Sequence, residues 1–417
     1  MTEAQISEFK EKAIRYASNF EVCCYLDSHH YIDKYGKYDC LIAFGKEREL
    51  SVSTGDAFDS LKKFTDTYQD WLFGSFGYDL KNEIENLPYK KEDPVQYPDL
   101  YFFIPLHLIS ISKNEIIVLK GSATILDEIW ASNFIKKDNF PKIDIQSKLT
   151  KQVYIETIQR IQQHIKRGDI YEMNFCQEFF AENAVIDPLS VYQQLAKLSP
   201  TPFSGYFKLK DKYILSATPE RFLTKRGTIL TSQPIKGTAR RSTDETEDAA
   251  IKQALSTNKK EQAENVMIVD LVRNDMTKSA VKGSVKVDEL FGIYSFPQVH
   301  QMISSISCQL SPQVHFVEAI KNAFPMGSMT GAPKLRAMQL IDQYEKSKRG
   351  IYSGSMGYIT PDRDFDFNVI IRSIIYNSTN RYLSFQVGSA ITYQADAENE
   401  YDECLLKASA IMSVLKN

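Results

Sequence analysis

Ser232-Gln233-Pro234-Ile235-Lys236-Gly237-Thr238 is the stretch around which this sequence is organised. Proline fixes its own φ and removes a donor, and glycine permits backbone shapes that other residues resist. Between them Lys236 is held directly after a strand-like hairpin, Arg221 to Lys225 and Thr228 to Thr231 around Arg226-Gly227. Alone, such a stretch reads as a surface turn with a solvated lysine. Its company argues otherwise. In the helix from Lys259 to Asp275, Glu261 and Glu264 are three apart and share a face that Ile268 and Leu271 continue. The closing helix, Ala397 to Leu415, repeats the device with Glu400, Glu403, Lys407, Ile411 and Val414. Carboxylates on an apolar stripe point inward and need a metal or a cationic partner. Two such pairs suit a hard cation, and Mg²⁺ fits because it takes oxygen ligands and shares them with substrate and water. The other reading of each pair is a glutamate suited to the positive end of a helix dipole.

Outward from this centre, Lys151 to Arg167 has the 3.6-residue period of a helix, stopped by Gly168-Asp169. Ile170 to Phe180 reads as a strand and Pro188 to Leu198 as a helix. Tyr206 to Leu209 and Tyr213 to Ser216 flank a tight turn. Thr243 to Lys278 holds helices, and Val299 to Leu310 is a strand. Ser328 to Tyr344 begins with a cap and becomes a helix. Tyr352 to Ile359, Phe367 to Tyr376 and Tyr382 to Ile391 are strands. In the first third, residues 1–20 form an amphipathic helix. Glu21 to Leu26, Cys40 to Phe44, Trp71 to Tyr78, Leu100 to Ile111 and Glu115 to Lys120 are strands, and Asn82 to Asp99 is a surface loop. The polar stretch Lys136 to Gln146 connects an N-terminal region, 1–145, to a catalytic region, 146–417. Mixed helices and hairpins predict an α+β protein with large antiparallel sheets.

The composition is ordinary for a globular protein, 43% apolar and 25% charged over 417 residues. A formal charge of -3 makes no case for nucleic acid or an anionic membrane. No signal peptide and no apolar run of membrane-spanning length is apparent. The six cysteines have no CxxC spacing, which suits a reduced, cytoplasmic protein.

Phe324-Pro-Met-Gly-Ser-Met-Thr-Gly-Ala-Pro-Lys334 is the most specific local pattern. Thr330 is a good N-cap, Pro333 is tolerated in a first turn, and the glycines, Gly331 among them, let backbone N–H groups face outward. This predicts an anion-binding helix start around Ser328, to which Lys334 and Arg336 add charge. It lacks the ending of a nucleotide P-loop. Arg372, inside an apolar strand, needs a partner, either a structural carboxylate or that of a substrate held bidentately. Glu220, in Thr218-Pro-Glu-Arg-Phe222, is a turn carboxylate or a general acid. His300 is a satisfied core histidine or a polariser of substrate.

Together these residues resemble the chorismate-utilising enzymes, closely over Lys151 to Leu415 and loosely before it. The marks are Thr218 to Phe222, Pro234 to Thr238, Glu261 to Asp275, Gly327 to Lys334, Gly350-Ile-Tyr-Ser-Gly354, and Glu400-Tyr-Asp-Glu403 with Lys407. The resemblance implies two packed, mainly antiparallel sheets flanked by helices, and Mg²⁺ as cofactor. Within the family, anthranilate synthases generally carry alanine at position 236, and aminodeoxychorismate synthases carry lysine. Isochorismate and salicylate synthases have a lysine base where this chain has Glu172. Ser328, where anthranilate synthases usually have threonine, leans the same way. The implied reaction is amination of chorismate at C4, with an anthranilate or isochorismate/salicylate type as the alternative. A chain that has lost catalysis is a poorer reading, since the catalytic set is present together.

The implied roles follow. Glu264 and Glu403 bind Mg²⁺, with Glu261 and Glu400 holding its waters. Lys236 attacks C2, Glu220 protonates the departing hydroxyl, and His300 assists. Ser328, Thr330, Gly331, Tyr352, Arg372, Gly388 and Lys407 bind substrate. With no fused glutaminase domain in view, ammonia comes from a glutamine amidotransferase subunit. Two departures stand out: Glu172, where ammonia-using members commonly have glutamine, and Ser389-Ala390, where Ala-Gly is common.

Overall fold

The computed structural model describes residues 2–85, 87, 91–134, 142–297 and 299–416. The connection expected over 136–146 therefore falls mostly outside the described residues, as does part of the loop expected over 82–99. Among the described residues, nineteen strands, all paired antiparallel, are hydrogen-bonded into one continuous network, so the two expected sheets are joined. Eleven α-helices among the same residues accompany them, giving an α+β fold. The first third is stitched into the rest. Val22–Asp27 lies between Cys40–Val52 and Ser204–Leu209, and Leu72–Phe76 lies between Leu100–Ile111 and Ser355–Ile359. No helix among the described residues is long and apolar enough to cross a membrane. All six cysteines are free and buried.

The two glutamate-bearing helices are anchored in different parts of the core. Helix Lys259–Thr277 buries Ile268, Val269, Val272 and Met276, and these pack with Phe324, Met326 and Met329. Helix Ala397–Lys416 buries Cys404, Ala408, Ile411, Val414 and Leu415 in a second cluster that includes Tyr154, Ile158 and Ile161 of helix Lys151–Lys166. In each helix the apolar stripe begins one turn after a buried glutamate, Ile268 after Glu264 and Cys404 after Glu400. Docking the stripes therefore brings both first turns to one cavity.

Two local expectations, at Arg372 and after Gly327, are corrected. At Lys236 the bland reading of a surface turn gives way to a strand: the lysine is the second residue of Ile235–Arg240, which pairs with Val299–Gln309 and breaks register between Ile235 and Thr238. Gly237, with φ +99°, takes the irregular position. Arg372 is not inside a strand. The chain leaves Phe365–Asn368, bends, and re-enters at Ser373–Asn377, with Arg372 at φ +49° in the bend. The helix after the glycine-rich stretch starts at Lys334, not near Thr330. Gly327–Met329 is a single 3₁₀ turn, and Gly331–Ala332 pairs with Met173 and Glu172. Helices Ala57–Thr67 and Phe316–Ala323 and strand Lys286–Ser295 have no counterpart in the sequence reading.

Candidate active site

Lys236 and the four glutamates Glu261, Glu264, Glu400 and Glu403 line one cavity of about 150 Å³. Glu220, Ser328, Tyr352, Arg372, Gly388 and Lys407 complete the part of its wall that the sequence anticipated. Eleven of the fourteen anticipated residues thus meet, from segments as far apart in the chain as Glu220 and Lys407.

Glu220 precedes strand Arg221–Arg226 and is fixed from behind. The buried Arg221 forks onto Asp366, with Nε to Oδ1 at 2.9 Å and Nη2 to Oδ2 at 3.0 Å. Val369 N–H donates to the Glu220 carbonyl at 3.0 Å. The Glu220 carboxyl is buried, and burial pushes it up to about 7 against opposing pulls from the Ser328 hydroxyl, Lys236 and Arg372. It is therefore half-protonated near neutrality, as a general acid requires.

Lys236 Nζ lies 3.9 Å from Glu172 Oε1. Burial, the largest influence, favours the neutral amine, but Glu172, Glu264, Glu403 and Glu261 outweigh it and hold the pKa above its ordinary value. Burial alone would have lowered the lysine pKa; the surrounding carboxylates reverse that direction.

The carboxylates are unequal. Burial pushes Glu264 up to about 7, and its Oε1 is buried without a hydrogen-bond partner. Burial also raises Glu261 and Glu400, each helped by Glu403. The exposed Glu403 is held low by Lys407, whose Nζ lies 2.7 Å away and also donates to the Gly388 carbonyl at 3.1 Å. Oxygen-only donors, a crowd of like charges and an unsatisfied buried oxygen fit a hard divalent cation. Among the described residues, no three of these groups already converge as a ligand set.

Gly237 and Gly388 keep the walls close. A Cβ on Gly237 would sit 3.1 Å from Glu261 Oε2, and one on Gly388 would sit 2.4 Å from Cys176 Sγ. Arg372 lines the cavity, and among the described residues no carboxylate forms an ion pair with it. Glu220 is the carboxylate that acts on it across the cavity.

Three anticipated residues do not line the cavity. Thr330 is buried, its hydroxyl donating to the carbonyls of Met326 and Gly327, both at 3.2 Å. Gly331 backs the wall: a Cβ there would meet the Glu172 carbonyl at 2.2 Å. His300 faces away, its Nε2 3.0 Å from Asp248 Oδ1 and its Nδ1 2.9 Å from Ser295 Oγ. Successive strand residues face opposite sides, so the next residue, Gln301, takes the cavity face instead. Gln301 is buried with Oε1 unpartnered. Sequence reasoning missed it, although strand alternation was the available signal. Asn174, Ser389 and Lys260 also line the cavity unanticipated. Lys334 is spent on Asp275 and the Pro325 carbonyl, and Arg336 on Gln339.

A family model described as chorismate binding enzyme matches residues 21–413. The chain is 33% identical over 413 residues to aminodeoxychorismate synthase component 1 of Escherichia coli (strain K12), covering 92% of this chain and 90% of that one. It is 34% identical over 355 residues to the protein of the same name from Salmonella typhimurium, covering 84% of this chain and 78% of that one. Among solved structures, anthranilate synthase component I from Streptococcus pneumoniae TIGR4 superposes with a TM-score of 0.81 at 24% identity, over 93% of this chain and 95% of that one. That likeness speaks to the fold. The family match begins just before the first strand and ends inside the closing helix, and the chain belongs to the family of chorismate binding enzymes.

Proposed function

We propose that this chain replaces the C4 hydroxyl of chorismate with an amino group, giving 4-amino-4-deoxychorismate on the way to para-aminobenzoate and folate. Ammonia would come from a glutamine amidotransferase subunit. The observation that carries the reading is a lysine amine and a carboxyl of pKa about 7, Lys236 and Glu220, on the wall of one cavity. The names of the relatives agree with it.

Chorismate is a dianion. Arg372 and Ser328, which line the same cavity, would hold one carboxylate. Glu264 and Glu403, with Glu261 and Glu400 through water, would hold a Mg²⁺ ion that neutralises the other. The Lys236 amine, once deprotonated, attacks C2. Both conjugated ring double bonds shift by one place, the C4–O bond breaks, and Glu220 gives its proton to the leaving hydroxyl, which departs as water. Ammonia then attacks C4, both double bonds return, the Lys236 amine is expelled, and the surplus proton of the new ammonium goes back to Glu220. A covalent lysine divides one hard displacement into two easier ones. The test is product analysis of the purified chain with chorismate, Mg²⁺ and ammonium salt at mildly alkaline pH. A 4-amino-4-deoxychorismate peak supports the reading; anthranilate, isochorismate or salicylate in its place overturns it.

A further inference from the structure

Lys260 is a charged cavity residue that the reaction leaves without a task. Its Nζ lies 3.8 Å from Glu264 Oε1 and 3.8 Å from Glu400 Oε1, bridging the first turns of the two helices. Both contacts are longer than a hydrogen bond, and Glu264 Oε1 has no hydrogen-bond partner. Charge alone therefore keeps the ammonium there. Its position on the helix offers little else. A lysine four residues before a glutamate is the weaker orientation of that pair, and the N-terminal turn of a helix repels a cation. The Lys260 side chain is 42% exposed, so it has a path into solvent. Lys407 is the opposite case, fixed on Glu403 at 2.7 Å and on a backbone carbonyl.

We propose that Lys260 is a resident counter-cation of the carboxylate cluster, lying between Glu264 and Glu400 until a divalent cation displaces it. The inference rests on the metal reading of the four glutamates. A divalent ion brings two charges and contacts of about 2.1 Å, which one ammonium at hydrogen-bond distance or beyond does not match. The ion and the ammonium cannot both fill the gap between those two carboxylates. The lysine thus spares the metal-free protein an uncompensated pair of carboxylates, at a cost in metal affinity. It also accounts for carboxylates that face one cavity without converging.

The test uses the whole chain and Mn²⁺ as the probe, followed by the resonance of the free ion and without chorismate. Lys260→Met is expected to bind Mn²⁺ about tenfold more tightly than the unaltered chain, by removal of a competing charge. Lys259→Met, which removes the same charge one position away from a side chain near Gln262, is expected to change affinity little. Amine-reactive labelling of Lys260, read by peptide mass, is expected to rise when Mg²⁺ is added. Equal affinity in the two variants, or labelling that stays constant or falls, overturns displacement and leaves the metal reading standing. Absence of Mn²⁺ binding in every form overturns both.

Discussion

Lys236 and Glu172 face each other at 3.9 Å inside the protein, an ammonium beside a buried carboxylate whose Oε2 has no hydrogen-bond partner. Glu172 is the largest of the influences that raise the lysine pKa. In the proposed reaction attack on C2 needs the neutral amine, so the carboxylate that steadies Lys236 also restrains it. Glu172→Gln is expected to raise the rate between neutral and mildly alkaline pH, because a lower lysine pKa leaves more of the neutral amine while Glu220 is still partly protonated. An unchanged rate there would show that Glu172 does not govern the lysine. Lys236→Ala, in contrast, is expected to abolish most aminated product while leaving the fold intact by circular dichroism.

Glu220 sets a second protonation requirement. In the proposed reaction its carboxyl, at about 7, must be protonated to release the C4 hydroxyl as water. Lys236, held above its ordinary value, must be neutral, so the productive form carries both groups in their minor state. The rate is therefore expected to rise up to about pH 7 and then level off, because loss of the Glu220 proton cancels the gain in neutral lysine. Glu220→Gln cannot donate the proton. It is expected to lower kcat by roughly 10²- to 10⁴-fold and to remove the levelling, so that the residual rate keeps rising with pH. A variant that still levels off near neutrality would place the acid elsewhere.

The contrast between His300 and Gln301 shows how far the sequence carries and where it stops. Periodicity located most of the elements, because buried stripes repeat on 3.6 or 2 residues whatever their partners. Strand Leu100–Ile111 and strand Tyr382–Ile391 lie where the apolar runs placed them. The helical glutamates were legible for the same reason, since their apolar stripes fix which way they face. What the sequence did not carry was the direction of single side chains where the backbone is irregular. The bulge at Gly237, the bend at Arg372 and the 3₁₀ turn at Ser328 are set by neighbouring strands distant in the chain. Helix Ala57–Thr67 was missed because only Ala57, Phe58, Leu61 and Thr65 are buried on it, a short signal inside a polar stretch.

The same two residues make separable predictions. His300→Leu removes a buried partner of Asp248 and Ser295 and is expected to cost about 1–3 kcal/mol of stability, read from the denaturant midpoint. The folded fraction should keep most of its turnover. Gln301→Leu removes an acceptor that is already unpaired, so stability should hold or rise slightly. Activity should fall, because a buried acceptor facing the cavity is available to a ligand N–H or O–H. If the losses fell the other way round, the assignment of faces on strand Val299–Gln309 would be wrong.

Arg349 tests whether the cavity wall is held from behind. Its guanidinium forks onto Glu345, with Nε to Oε2 at 2.9 Å and Nη2 to Oε1 at 2.6 Å. It also donates to the carbonyls of Met329 at 2.6 Å and Asn174 at 3.0 Å. Glu345 in turn accepts from the Cys176 N–H at 2.9 Å, and Asn174 Nδ2 donates to the Ser328 carbonyl at 3.0 Å. One buried ion pair thus ties strand Glu172–Ala181 to the turn that presents Ser328. Arg349→Met leaves Glu345 buried without its partner and is expected to cost about 3–5 kcal/mol. Arg349→Lys keeps the charge but cannot reach both carboxylate oxygens and both carbonyls, so it should fall between the two. In that variant the KM for chorismate is expected to rise more than kcat falls, because the Ser328 turn is loosened while Lys236 and Glu220 stay in place. An Arg349→Lys protein with unaltered KM would show that the turn holds its shape without the fork.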